Sequence, residues 1–333
     1  MSETNEVLKP LKTWSHLAAN RRRPSEYEIV SVNLHYSKTS LNDRPPFELS
    51  PEVGMNKWYG RYRDQTKLQH PDWNAFRDPE EITYRAYNIL QDGQETYVEG
   101  LFNEFDEREH DVALPPEWLA VLNRCYTPAR YAFHALQMAS AYVGQVAPSS
   151  TITNCAYFQA ADCLRLLSHT AYRTRELANR FPATGFAANE LAAWEGDACW
   201  QGFRELLERV LAVFDWSEAF VAVCLVAKPM IEECLLRRLG AAGRRNDDIL
   251  LGMLTDAQLR DTDRARRWTS ALAKFLLTVD GNRALMQGWV DKWTPLAEKA
   301  ARAYCAALPE SDEHLQAALS ASADFLRLCG LEK

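Results

Sequence analysis

From about residue 81 to the C-terminus, apolar side chains recur at spacings of three and four, the pattern of helices that bury one face. Residues 81–109 carry Tyr87, Leu90, Gln94, Tyr97, Leu101, Phe102 and Phe105 in that register, and Pro115-Pro116 ends the unit. Another helix is expected to open at Pro116. A later one has Thr127 as its cap and Pro128 in its first turn, runs through Ala147 and stops at Pro148. Thr151 or Thr153 leads into a helix reaching about Arg180, closed by Phe181-Pro182. A loop containing Gly185, Gly196 and Gly202 is expected next, before a stripe of Phe203, Leu206, Leu207, Val210, Leu211 and Phe214. Residues 211–239 read as a long helix kinked at Pro229. Residues 240–247 read as a turn, and 248–278, 288–308 and 313–328 as further helices. No alternating run competes, so the fold class is all-α, with long helices around one core.

Residues 1–80 follow a different pattern. They are rich in Pro, Asn, Asp and aromatics, and no helical period lasts beyond two turns. Disordered tails are poor in aromatics; this segment holds Trp14, Tyr27, His35, Tyr36, Phe47, Trp58, Tyr59 and Trp73. It reads as an extended arm (1–80) that buries aromatics on the helical domain (81–333) and on another subunit.

A chain of 333 residues with 47% hydrophobic content can build a substantial core. The net charge of −7 gives no electrostatic reason to expect nucleic acid. The basic clusters at 21–23 and 237–245 are short and read as solvated helix ends or interface charges. The N-terminal residues lack an apolar signal region, and the longest apolar run, 219–227, is far short of a membrane span. The eight cysteines are scattered without a Cys-x-x-Cys, which reads as reduced and buried thiols. The expectation is a soluble cytoplasmic protein without a membrane partner.

The chemistry is sparse. There is no nucleophile elbow, phosphate loop or dinucleotide fingerprint. A carboxylate-bridged metal pair in a helical bundle needs four carboxylates and two histidines, two of the carboxylates in Glu-x-x-His pairs. The only such pair here is Glu107–His110. On a continued helix these residues lie about 200° and about 140° from Phe105, away from the core, and read as a solvated helix end. His134 and His169, in the central helices, read as hydrogen-bonded packing residues rather than ligands.

Longer stretches carry a resemblance. Residues 154–166 read Asn-Cys-Ala-Tyr-Phe-Gln-Ala-Ala-Asp-Cys-Leu-Arg-Leu. With Thr13-Trp-Ser-His-Leu-Ala18, Arg23-Pro-Ser-Glu-Tyr-Glu-Ile-Val-Ser31, Leu34-His-Tyr36, residues 84–97, Thr151-Ile-Thr-Asn-Cys155, His169-Thr-Ala-Tyr-Arg-Thr-Arg-Glu176 and Asp215-Trp-Ser-Glu-Ala-Phe220, the chain resembles hydroxylase β subunits of toluene-type bacterial multicomponent monooxygenases. In that family the frame Asn-x-Ala-x-Phe-x-x-x-Asp-Glu-x-Arg-His forms the first iron-ligand helix. Asn154, Ala156, Phe158, Asp162 and Arg165 keep the frame, while the two iron positions hold Cys163 and Leu166. The stretch matching the second ligand helix, 258–268, offers Asp261 and Asp263 but no histidine, with Arg264 where a ligand is expected. Arginine stays protonated and does not replace histidine as a ligand. Asp261/Arg264 or Asp263/Arg267 could form an ion pair, either internal in place of a metal or exposed.

The resemblance implies a ferritin-like (ribonucleotide-reductase-like) helical bundle with an extended N-terminal arm. It implies an (αβγ)₂ hydroxylase whose di-iron centre, oxygen and aromatic substrate sit in the α subunit. NADH supplies electrons through an FAD reductase and a Rieske [2Fe-2S] ferredoxin, and a small effector protein tunes turnover. On this chain it implies no catalytic residues, no metal ligands and no bound cofactor. Trp14, His16, Tyr27, His35, Tyr36 and Trp58 are the candidate contacts to partner subunits. A phenol, alkene or propane enzyme is the alternative within the family. Outside that role stand a metal-dependent oxidase with an unusual site and a free-standing helical adaptor.

Overall fold

The computed structural model describes residues 22–34, 50 and 52–332. Two short helices lead, α1 (Glu26–Ser31) and α2 (Gly54–Tyr59). They are followed by α3 (Tyr84–Glu107), α4 (Pro116–Val121), α5 (Ala129–Gln145), α6 (Ser150–Arg180), α7 (Glu190–Gly196), α8 (Ala198–Leu211) and α9 (Trp216–Phe220). Then come α10 (Lys228–Glu232), α11 (Leu239–Arg245), α12 (Ile249–Leu276), α13 (Asn282–Cys305) and α14 (Ser311–Leu328). No strand occurs among the described residues.

Local chemistry sets many boundaries. α1 opens with a capping box in which Ser25 Oγ accepts from the Glu28 amide and Glu28 accepts from the Ser25 amide. Thr83 caps α3, and Asp248 caps α12 through the Leu251 amide. The expected cap at Thr127 does not form. Its backbone is helical and its hydroxyl donates to the Asn123 carbonyl, because a π-helical turn at Leu122–Tyr126 joins α4 to α5 without a break. Pro229 lies in the first turn of α10, between π-helical segments Val221–Ala227 and Glu233–Arg238. These widened turns accommodate the residue that lacks a donor.

Two expected loops are helical. Gly202 lies inside α8, where an added Cβ would stand 2.5 Å from the Ala300 Cα on α13. Gly240 lies in α11, where a Cβ would meet Thr255 Oγ1 at 2.1 Å. Both glycines serve close helix approach rather than chain reversal.

The core is one large cluster in which α5 packs along α6 and α8 along α13. The segment from Trp216 through Leu236 is buried almost without interruption, so this helical path runs through the middle of the bundle. α3 lies outside, across α6 and α12. Its buried face is partly polar: Gln91 and Gln94 are buried, whereas Leu90 and Tyr97 of the expected apolar stripe are exposed. α1 docks on the start of α6, where Ser150 Oγ donates to the Ser31 carbonyl at 2.7 Å and accepts from the Leu34 amide at 3.0 Å.

Candidate functional site

The polar face of α3 covers a layer of charge held between α6 and α12. Each of those two helices carries an Asp-x-x-Arg, at 162/165 and 261/264, and i,i+3 spacing puts both side chains on one face. The motifs exchange partners. Arg264 donates to Asp162 and Arg165 to Asp261, each at 2.6 Å. Arg264 also stands 3.1 Å from its own Asp261. α3 completes the layer: the Tyr87 hydroxyl donates to Asp162 at 2.9 Å, and Gln91 donates to Asp162 at 3.1 Å and to Asp261 at 2.9 Å. Tyr87 stacks on Phe158, ring centroids 4.5 Å apart. At the outer edge Glu95 accepts from Arg165, and His169 Nε2 lies 2.9 Å from Glu95. Burial and the neighbouring Asp261 carboxylate push the Asp162 pKa up to about 6, against the pull of Arg264.

One residue further along α6 are Cys163 and Leu166, 0% and 3% exposed and packed in the main core. The same offset from Asp261 and Arg264 reaches Thr262 and Ala265 on α12, both buried. The Cys163 thiol lies near Lys228, Glu232 and Cys224, and burial pushes its pKa up to about 12. Lys228 and Glu232 are ion-paired along α10 with side chains only 4% and 2% exposed. One carboxylate, Glu232, tied to the Lys228 ammonium beside a protonated thiol, an isobutyl group, a hydroxyl and a methyl does not make the four carboxylates and two histidines of a di-iron set. No group of three or more His, Cys, Asp and Glu suited to a metal ion occurs among the described residues.

The structure brings Asp261 and Arg264 together and takes both into the buried layer. Asp263 and Arg267 do not pair with each other: Arg267 bonds Glu80, and Asp263 is 3.9 Å from Arg237. Glu107 is exposed as expected, but the helical projection fails for His110. α3 ends at Glu107, Glu109 takes a φ of +52°, and His110 turns inward. Its Nδ1 lies 3.1 Å from Asp111 and its ring edge against Phe105. His134 is exposed and all eight cysteines are free and buried.

Among the aromatic contact candidates, Tyr27 is buried inside this chain, its hydroxyl accepting from the Asp78 amide at 3.0 Å. That burial corrects its expected availability to a partner. Trp58 is half-buried, donates to the Tyr142 hydroxyl at 3.1 Å and meets Phe214 edge-on. Trp14, His16, His35 and Tyr36 lie outside the described residues. Sequence reasoning missed the roles of Tyr87, Gln91, Glu95, Lys228 and Glu232. Two signals were present: the repeated Asp-x-x-Arg, and opposite charges at i,i+4 immediately after the longest apolar run.

A family model described as methane/phenol/alkene hydroxylase matches residues 56–280. The hydroxylase component subunit beta of the toluene-4-monooxygenase system of Ectopseudomonas mendocina is 51% identical over 91% of this chain and 92% of its own length. An oxygenase component of phenol 2-monooxygenase from Pseudomonas sp. (strain CF600) is 28% identical over 89% of this chain and 83% of its own. A chain in the solved structure of toluene 4-monooxygenase with toluene in its resting active site superposes with a TM-score of 0.84 at 51% identity, covering 91% of this chain and 99% of that one. The helical architecture is thus the ferritin-like fold of these hydroxylase subunits, and no described helix is long and apolar enough to cross a membrane. With two thirds of its length matched by that family model and the toluene-type subunit 51% identical over 91% of it, the chain belongs to the methane/phenol/alkene hydroxylase family.

Proposed function

We propose that this chain is the non-catalytic β-type subunit of the hydroxylase of a multicomponent aromatic monooxygenase. The iron, oxygen and hydrocarbon chemistry belongs to a partner α subunit, and a γ subunit completes an (αβγ)₂ assembly. The observation that carries the reading is the filling of the ligand positions. Cys163, Leu166, Asp261 and Arg264 stand at them: the first two pack as core, and the last two are tied to each other and to Arg165 and Asp162. Toluene-type aromatics are favoured over phenol or propane as the substrate class, because similarity is 51% to the toluene-type subunit against 28% and 25% to the phenol and propane ones.

The chain then acts by support. It buttresses the α helices that hold iron, and a misplacement of ~1 Å at such a site costs orders of magnitude in rate. The arm, residues 1–80, extends the grip of the helical domain, 81–333, on its partners. Electrons from NADH reach the α subunit through an FAD reductase and a Rieske [2Fe-2S] ferredoxin, with an effector protein tuning turnover. In this reading residues of this chain hold none of these components, and dependence on NADH favours a cytoplasmic location. The test is iron content. The chain produced alone under iron-loading conditions is expected to hold no stoichiometric iron, and to support toluene hydroxylation only with its iron-bearing partner. A di-iron load in the isolated chain would overturn the reading.

A further inference from the structure

The cysteines are not evenly spread through the core. Cys125, Cys199, Cys234 and Cys305 gather around the buried ring of Tyr304, whose hydroxyl donates to the Cys125 carbonyl at 2.9 Å. They form two pairs, each sharing a thiol–thiol hydrogen bond: Cys125 with Cys199, and Cys234 with Cys305. Each pair joins two helical segments. Cys125, in the π-helical turn before α5, meets Cys199 at the start of α8; beside them Trp200 Nε1 donates to the Arg124 carbonyl at 2.8 Å. Cys234, in the π-helical segment Glu233–Arg238, meets Cys305, the last residue of α13. Hydrogen-bonded thiols need only side-chain rotation to reach an S–S bond length of about 2 Å.

The two pairs differ in the charge beside them. Cys199 also donates to the Asp197 carboxylate, which holds it as a thiol. The second pair lies beside a cation. The hydrogen bond that Cys234 donates to Cys305 favours the Cys305 thiolate, and the Arg238 guanidinium adds to it. Together they outweigh burial and the Glu233 carboxylate, leaving the Cys305 pKa below the ordinary thiol value. The thiolate is the nucleophilic form, so Cys305 is the reactive sulfur and Cys234 the one placed to resolve it. Both thiols are 0% exposed, but Cys305 closes α13 and Ala306 after it is exposed. The last turn of a helix opens at far lower cost than its middle, and that opening admits a small oxidant.

We propose that Cys305 and Cys234 form a peroxide-reactive dithiol site. The Cys305 thiolate attacks hydrogen peroxide and the O–O bond breaks. Sulfur keeps one oxygen as a sulfenic acid, and the departing hydroxide takes up the proton that Cys305 gave up. The Cys234 sulfur then attacks the sulfenic sulfur, its proton leaves with the hydroxyl as a second water, and the disulfide closes. Two thiols lose two electrons and two protons, and one peroxide becomes two waters. The product ties α13 to the buried helical path, and a small dithiol reopens it. The site stands apart from the subunit reading above, under which the oxygen-reducing partner is the source of the peroxide.

The test treats the full chain with hydrogen peroxide at neutral pH, blocks the remaining thiols under denaturing conditions and maps the peptides by mass. A disulfide joining Cys234 to Cys305 is expected, reversed by dithiothreitol. It is expected to form about tenfold faster than a bond between Cys125 and Cys199, where Asp197 holds Cys199 protonated. Cys234→Ser is expected to stop at the sulfenic acid, which dimedone labels at position 305, and Cys305→Ala to leave Cys234 unmodified. The wild-type map decides the matter even where a variant fails to fold. A Cys234–Cys305 bond upholds the site; Cys305 left as a free thiol, or oxidised with Cys234 untouched, overturns it.

Discussion

Lys228 and Glu232 give the sharpest energetic prediction. They sit four residues apart on α10, side chains 4% and 2% exposed, directly after the longest apolar run. Burial works against the Lys228 ammonium, and the charge of Glu232 outweighs it, leaving the lysine pKa above its ordinary value. The pair is poorly satisfied, because Glu232 Oε2 is buried without a hydrogen-bond partner. Desolvation therefore costs about as much as the attraction returns, and each ion is tolerable only in the company of the other. Glu232→Met or Lys228→Met alone is expected to cost about 3–5 kcal/mol, by stranding the opposite charge. The double variant is expected to be neutral, or more stable than wild type by about 1–3 kcal/mol, since two methionines fill similar volume in an apolar setting. In Glu232→Met the stranded lysine has a depressed folded-state pKa. Its penalty is thus full below that lowered value and shrinks as pH rises through it toward the unfolded lysine value of about 10.4. Urea midpoints of the isolated chain, with far-UV circular dichroism as the probe, measure all three variants. A double variant that loses the sum of the two single losses would refute the reasoning.

Two further outcomes follow from individual contacts. Burial disfavours the Asp111 carboxylate, but hydrogen bonds from His110 and Arg173 and the Arg173 charge hold its pKa below the usual range. Its contribution is complete above the unfolded value of about 3.9 and is lost as pH falls through the lower folded value, so Asp111→Asn is expected to flatten stability against pH below about pH 4. Unchanged steepness in an acid titration of unfolding would count against that contact. Gly202→Ala places a methyl against the α13 backbone, 2.5 Å from Ala300 Cα, and is expected to cost about 1–3 kcal/mol in urea denaturation. Gly196→Ala, with open space around it, is the control without a loss.

The helices were legible where one face is apolar and the ends carry proline or a capping group. α6 is the clearest case, running from Ser150 to Arg180 just before Phe181-Pro182. The pattern failed where glycine has a packing role. Gly202 and Gly240 carry the same letter as a chain breaker, and only the neighbouring helix, with Ala300 or Thr255 at the contact, shows that the missing Cβ is what the fold uses. Thr127 failed similarly, because a capping residue and a hydroxyl bonding back to the i−4 carbonyl look alike in sequence. At the site, the burial of Cys163 and Leu166 was legible, since they share the apolar face of α6 with Ala156 and Ala160. The exchange of partners was not, since Asp261 and Arg264 already satisfy a pairing rule within one helix. That Arg264 reaches Asp162, 102 residues away, is a property of helix packing alone.

That exchange shows how α6 carries a buried carboxylate beside an apolar core face. Asp162 and Cys163 are neighbours in sequence but about 100° apart around α6, so they face different layers of the bundle. The Cys163 layer needs polar donors only if a metal is present to be held. Thiol, isobutyl, methyl and hydroxyl groups fill it as core. The Asp162 layer is satisfied with no metal at all, because two aspartates and two arginines on α6 and α12 neutralise one another crosswise while Tyr87 and Gln91 take up remaining acceptor sites. Sliding α6 past α12 by one turn, about 5.4 Å, would break both cross pairs together, stranding Asp162 from its arginine and leaving Asp261 and Arg264 only each other and Arg165 only Glu95. Each stranded charge costs several kcal/mol, more than such a domain has to spare. The reciprocal ion pairs therefore fix the register of the two helices.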